Sequence, residues 1–157
     1  MIRAIADLVL VAVVAGCSGA PSPPPEDPDP APAGAMLASA GLSVAGVVGS
    51  WSLDGMVADA PWLPADALGT VSVPIGAPLS VAFDDGAGIG SWTAQLAETS
   101  DRDGAGARTV GEGDGDGDGD AAIGLTAPPA GDWVLAVTLT RADGRGRATY
   151  SWAVSVR

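Results

Sequence analysis

The sequence contains no histidine, no lysine and no asparagine, and its single cysteine is Cys17. Without imidazole or ammonium groups there is no Ser-His-Asp triad, no Ser-Lys dyad and no Schiff-base lysine. An ordinary zinc site is excluded with them, because its ligands are mainly imidazoles and thiolates. One cysteine cannot close a disulfide within the chain. Aromatic residues are scarce and unevenly chosen, with five tryptophans against one tyrosine and one phenylalanine. Basic groups are scarce too: seven arginines face 19 acidic residues, for a net charge of -12. Such a surface argues against binding nucleic acid or anionic headgroups through charge. A phosphate-cradling loop is also missing, since the longest glycine tract is crowded with carboxylates that would repel phosphate. At 157 residues the chain has room for one domain plus a tail.

What is present begins with a short apolar run, Ala4 to Ala15, behind the amino terminus and Arg3, ending in Val14-Ala15-Gly16-Cys17. A basic start, an apolar stretch and a small-residue exit are the parts of a secretory signal. The run is far shorter than the roughly 20 residues that a membrane span needs. The Val-Ala-Gly-Cys ending resembles the lipobox of bacterial lipoproteins, although Asp7 departs from that pattern. The resemblance implies a signal peptide over residues 1–16, cleavage before Cys17 and acylation of the Cys17 thiol and new amine. Two or three acyl chains hold a protein on a bilayer durably. The expected location is therefore the bacterial cell envelope, with the chain tethered on the extracytoplasmic side of a membrane.

Residues 17–35 read as a linker. Prolines crowd the stretch from Pro21 to Pro32, interleaved with Glu26, Asp27 and Asp29, and no β-branched or aromatic residue offers a core. Such composition favours extended polyproline II or disorder.

From residue 36 onward the pattern changes to short apolar runs punctuated by Gly, Pro and Asp. Trp133, Leu135, Val137 and Leu139 alternate with Val134, Ala136, Thr138 and Thr140; Tyr150, Trp152, Val154 and Val156 alternate with Thr149, Ser151, Ala153 and Ser155. Period two with Thr, Val and aromatics predicts strands, and Ala142-Asp143-Gly144-Arg145-Gly146 supplies turn residues, so 132–141 and 147–156 are expected to form an antiparallel hairpin. Shorter strands are expected around Ile123–Leu125, Ser91–Glu98, Leu79–Phe83 and Val71–Val73, the last two joined by Pro74 to Pro78. Asp54-Gly55 marks a tight hairpin, and Leu42 to Val48 adds a further extended run. Residues 101–120 are expected to be a flexible acidic loop.

Pro129-Ala130-Gly131-Asp132-Trp133-Val134-Leu135-Ala136-Val137, the Asp143-Gly144 turn and Ala148-Thr149-Tyr150 resemble the last two strands of bacterial PKD-like and other immunoglobulin-like modules. The resemblance implies an all-β, immunoglobulin-like antiparallel sandwich over residues 36–157, and no particular function. Gly49-Ser50-Trp51-Ser52-Leu53-Asp54-Gly55 also resembles a segment of uncharacterised bacterial secreted proteins, with Ser52 and Val57 where cysteines would fall.

Two patterns suggest ligands. In Asp114-Gly115-Asp116-Gly117-Asp118-Gly119-Asp120 the carboxylates fall where the first ligands of a calcium loop stand, but the closing position is Leu125 rather than a bidentate Glu. A flexible acidic loop is the plainer reading, with Asp114, Asp116, Asp118 and Asp120 as metal ligands if calcium binds. Trp51 and Trp62 are candidates for stacking on a carbohydrate, whereas Trp92, Trp133 and Trp152 fall in phase with aliphatic neighbours and read as core. The residue inventory leaves little catalytic chemistry besides carboxylates. The expectation is thus a lipid-anchored protein, not an enzyme and without a cofactor, serving as a non-catalytic binding, adhesion or envelope-structural module toward a protein or glycan partner and not nucleic acid. Calcium-dependent binding through the Asp/Gly loop and carbohydrate binding through exposed tryptophan are its alternatives.

Overall fold

The structure, a computed structural model, describes residues 32–60, 68–83, 88–115 and 122–157. Cys17, the signal segment and most of the linker lie outside the described residues. Eleven strands follow one another: β1 (Ala35–Ser39), β2 (Leu42–Ala45), β3 (Val47–Leu53), β4 (Met56–Ala58), β5 (Thr70–Val73), β6 (Pro78–Phe83), β7 (Ile89–Glu98), β8 (Arg108–Asp114), β9 (Ala122–Thr126), β10 (Gly131–Arg141) and β11 (Gly146–Val156). They build two sheets, one in the order β2-β1-β6-β9 and the other β4-β3-β11-β10-β7-β8, with β5 added in parallel to β11. The architecture is an immunoglobulin-like β-sandwich.

The long hairpin forms as its alternation predicts. Gly131 to Thr140 pair in unbroken antiparallel register with Val156 back to Arg147. The odd-numbered residues of β10 and the even-numbered residues of β11 face the other sheet, so Leu135, Val137, Leu139, Tyr150, Trp152, Val154 and Val156 enter one core with Leu37, Val71, Leu79, Val81 and Leu96. Asp54-Gly55 turns as its sequence predicts, both residues taking positive φ (48° and 87°), as the two-residue turn between twisted strands requires.

Two sequence expectations change, and one, the Pro74–Pro78 connection, is refined. The run Leu42 to Val48 divides: β1 and β2 form a hairpin about Ala40-Gly41, with φ of 49° and 81°, in which an alanine occupies the left-handed position that glycine or asparagine usually marks. The chain then leaves one sheet for the other at Gly46. Strands β5 and β6 are not partners: the Pro74–Ala77 turn, closed by the Ala77 amide donating to the Pro74 carbonyl at 3.1 Å, carries the chain from one sheet to the other. Residues 108–114, expected within the acidic loop, form β8 on the edge of the larger sheet. Glycine there is a packing choice. The Trp92 ring lies against β8, and a Cβ on Gly111 or Gly113 would come within 3.1 Å of it.

The corner at Gly46 is held from the core. Trp152, fully buried, donates its indole N–H to the Val44 carbonyl at 3.0 Å, while the Gly46 amide donates to the Ala35 carbonyl at 2.8 Å. A Cβ on Gly46 would lie 2.5 Å from the Trp152 ring. Gly46→Ala is expected to cost about 1–3 kcal/mol through overpacking. Trp152→Phe, which leaves a void and removes the indole hydrogen bond, is expected to cost roughly 2–4 kcal/mol. Equilibrium urea unfolding measures both, and unchanged midpoints would show that the corner does not hold the sheets together.

Candidate functional site

Of the residues singled out by the sequence, Trp62, Asp116, Asp118 and Asp120 lie outside the described residues, as does Cys17. Asp114 ends β8, exposed, in register with Ser91. Among the described residues no three His, Cys, Asp or Glu side chains come together as a metal site. Trp51 stands on β3 opposite Ala58 and Ala148, and its half-buried ring packs against the core.

The surface with the most chemical variety is one that the sequence left unmarked. It lies where β7 ends, β8 begins and β10 enters the sheet. Trp133 pairs with Glu98 across β10 and β7, and Leu96 pairs with Arg108 across β7 and β8. Cross-strand partners share a face of the sheet, so these four side chains converge. The result is a cleft of about 290 Å³ lined by Leu96, Ala97, Glu98, Asp101, Gly106, Arg108 and Trp133. Trp133 is in phase with the core, as expected from its alternation, but it is the last aromatic of the stripe and only half-buried. Its indole N–H donates to the Pro129 carbonyl at 2.8 Å, and Gly131, at φ 144°, lets the backbone pass close to the ring. The Arg108 guanidinium lies 5.4 Å from the ring centroid, a cation–π contact.

The loop between β7 and β8 is pinned by its own hydrogen bonds. The Asp101 amide donates to the Glu98 carbonyl at 2.9 Å, the Gly106 amide to the Asp101 carboxylate at 2.7 Å and the Ala107 amide to the Gly104 carbonyl at 3.0 Å. Asp101 is thus spent on holding the loop. Among the described residues the Glu98 carboxylate accepts a long bond from the Ser100 hydroxyl, 3.4 Å, and it is exposed to the cleft.

Beside the cleft, Asp132 accepts a hydrogen bond from the Ser155 hydroxyl at 2.7 Å and faces the Arg157 guanidinium at 3.5 Å. The serine bond, more than the arginine, holds its carboxyl below the ordinary carboxylate value. Asp143, in the β10–β11 turn, is lowered in the same direction, first by hydrogen bonding from Arg141 and then by the Arg145 amide. At the opposite end of the sandwich the Tyr150 hydroxyl donates to the Ala33 carbonyl at 2.6 Å, where the chain enters the fold, beside a narrow apolar recess between Phe83 and Leu139.

No family model matches this sequence, and no curated protein is recognisably similar to it. Solved structures with a related arrangement of strands include the catalytic domain of a lytic polysaccharide monooxygenase from Listeria monocytogenes (16% identity, 57% of this chain and 60% of that one, TM-score 0.47). Others are a monooxygenase of the same kind from Kitasatospora papulosa (12%, 59% and 55%, 0.47) and a cellulose-active polysaccharide monooxygenase from M. thermophila (12%, 71% and 78%, 0.45). The chain spans three-fifths or less of the first two. Likeness at this level concerns the fold. These neighbours are catalytic domains or enzymes, and against them the expectations of a non-catalytic module, of no enzyme and of no cofactor are withdrawn. Oxygen insertion needs a bound redox centre, commonly a metal or flavin, and a copper or iron centre draws on imidazole or thiolate ligands. The chain has no histidine, and the described residues gather no metal-ligating group of three, so they do not fit such a metal. No step is derived through one.

The lowered carboxyl of Asp132 gives a pH dependence of defined sign. A carboxyl whose folded value is depressed contributes stability above its unfolded value, near pH 4, and that contribution is lost as pH falls through the folded value. Ser155→Ala is expected to move the Asp132 titration upward toward the ordinary value and to narrow the acid range over which its share of the stability is lost. Carbon-13 titration of the carboxyl by NMR reads this, and an unmoved midpoint would assign the effect to Arg157 instead.

Proposed function

We propose that this chain is an extracytoplasmic, lipid-anchored, carbohydrate-active protein whose saccharide occupies the Trp133 cleft. The observation that carries the reading is the convergence of one aromatic face, one exposed carboxylate and one guanidinium in a single concave site on the sheet. Ligand sites are commonly built this way, with an apolar wall and a few polar groups that fix orientation. A sugar ring offers a C–H face to Trp133 and hydroxyls to Glu98 and Arg108. Trp133 and Glu98 stand on the interior strands β10 and β7 and Arg108 on the edge strand β8 paired to them, so the sheet itself sets their spacing.

Proton transfer at this site falls to Glu98. Histidine and lysine are absent from the chain, arginine stays protonated, and Asp101 is committed to the Gly106 amide. A carboxylate beside a bound saccharide is the group that acid–base chemistry at a glycosidic or ester bond uses. One structural neighbour is a cellulose-active polysaccharide monooxygenase, which agrees with this ligand class without carrying it. The location rests on the Val14-Ala15-Gly16-Cys17 signal, with the proline-rich linker as the spacer between membrane and fold.

Two measurements test this. Trp133→Ala is expected to weaken oligosaccharide binding at least tenfold in calorimetry, whereas Glu98→Gln retains binding and loses turnover; a Trp133→Ala protein that binds like the parent overturns the site. Cys17→Ala is expected to abolish incorporation of labelled fatty acid and to release the protein from membranes. Persistent membrane fractionation of an unlipidated variant would contradict the anchor.

A further inference from the structure

We infer that the saccharide carries an apolar substituent, an acyl or aryl group in ester or amide linkage, that enters a second cavity beside the Trp133 cleft; the inference rests on the saccharide reading above. The open side of the sandwich lies between two edge strands, β8 of the larger sheet and β9 of the smaller. There Leu79, Leu96, Val110, Leu125, Leu135 and Val154 wall a cavity of about 150 Å³. The polar cleft and this cavity have Leu96 and Arg108 in common, so the two adjoin and would serve as arms of one site.

The chemistry of the arms differs sharply. One presents Glu98 and the Trp133 face; the other is lined mainly by leucine, valine and proline, with Arg108 and Thr126 as its polar side chains. An apolar cavity of this size gives water few partners and accepts a group the size of a benzene ring. A bare sugar would leave it unfilled. Val110 at its mouth is 45% exposed, more than its neighbours on the inward face require for packing. Arg108 stands at the junction and belongs to no ion pair with the described carboxylates; its recorded contact is with the Trp133 ring. A guanidinium offers donors only. At that point the complementary ligand atom is an acceptor, and the carbonyl oxygen of an ester or amide joining sugar to substituent is one that brings no further charge beside the apolar wall. The apolar stem of Arg108 can lie along the substituent while its head reaches the carbonyl.

The test uses octyl glycosides below their micelle concentration and methyl glycosides of the same sugars (glucose, galactose and N-acetylglucosamine), with octanoate as the chain without a sugar. Tryptophan fluorescence and calorimetry on the lipid-free mature chain read the affinities. For at least one sugar, the octyl glycoside is expected to bind ten times or more tighter than the methyl glycoside, through burial of several methylenes. Val110→Trp fills the mouth at an exposed position and is expected to remove that advantage while leaving methyl glycoside binding as it was. Equal affinities for octyl and methyl glycosides overturn this inference and leave the saccharide reading standing. Octanoate binding as tightly as the octyl glycosides keeps the cavity and overturns the saccharide reading. Failure of every probe to bind overturns both.

Discussion

The hydrogen bond from the Trp152 indole to the Val44 carbonyl joins the two halves of this molecule. It runs from the central strand of the larger sheet to the point where the chain leaves the smaller one, across 108 residues of sequence. Val44 stands near the end of β2, two residues before the chain changes sheet, so the indole ties that end of the smaller sheet to the larger one. Gly46 completes the arrangement by letting the ring come closer than any side chain would allow. Tyr150, two residues earlier on the same face, stacks toward Trp152 with 6.4 Å between ring centroids and fastens the entering chain at Ala33. One stripe of β11 therefore organises the fold along most of its length.

The Trp133 cleft depends on that stripe at one remove. Strand β10 is locked to β11 over its whole length, and β7 is locked to β10, so Glu98 and Trp133 inherit their spacing from the hairpin. Strand β8 completes the site from the edge. It packs through glycines under the Trp92 ring, which brings Arg108 to the cleft without bulk on its inward face. The cleft sets Arg108 against Glu98 and Asp101, while further carboxylates such as Glu112 and Asp114 lie exposed along β8. The site is left as a small mixed-charge island on an acidic protein.

Much of the fold was legible in the residues. The long hairpin, β6, β7 and β9 all followed from alternation, and the Asp54-Gly55 turn from the φ values that its residues tolerate. What escaped had physical reasons. Ala40 takes a left-handed conformation for which alanine gives no signal. Strand β5 adds in parallel to a strand some eighty positions away, a pairing that local pattern cannot encode. The β8 glycines looked like freedom because the ring that fixes them, Trp92, lies on another strand. For the site the miss was of a different kind. Trp133 was rightly placed in phase with the core, yet an aromatic at the end of an inward stripe is both a core residue and a cleft wall. Only the convergence of Glu98, from β7, and Arg108, from β8, reveals the second role; burial on its own would have hidden it.

The most direct test follows the five tryptophan indole N–H signals by nitrogen-15 NMR during titration with an oligosaccharide that binds. The Trp133 signal, with the backbone amides of residues 98 and 108, is predicted to move, while the Trp152 signal stays fixed and slow to exchange, held by Val44 in the core. Shifts confined to other tryptophans, with Trp133 unmoved, would contradict the central claim that the cleft at the head of β10 is where this protein meets its ligand.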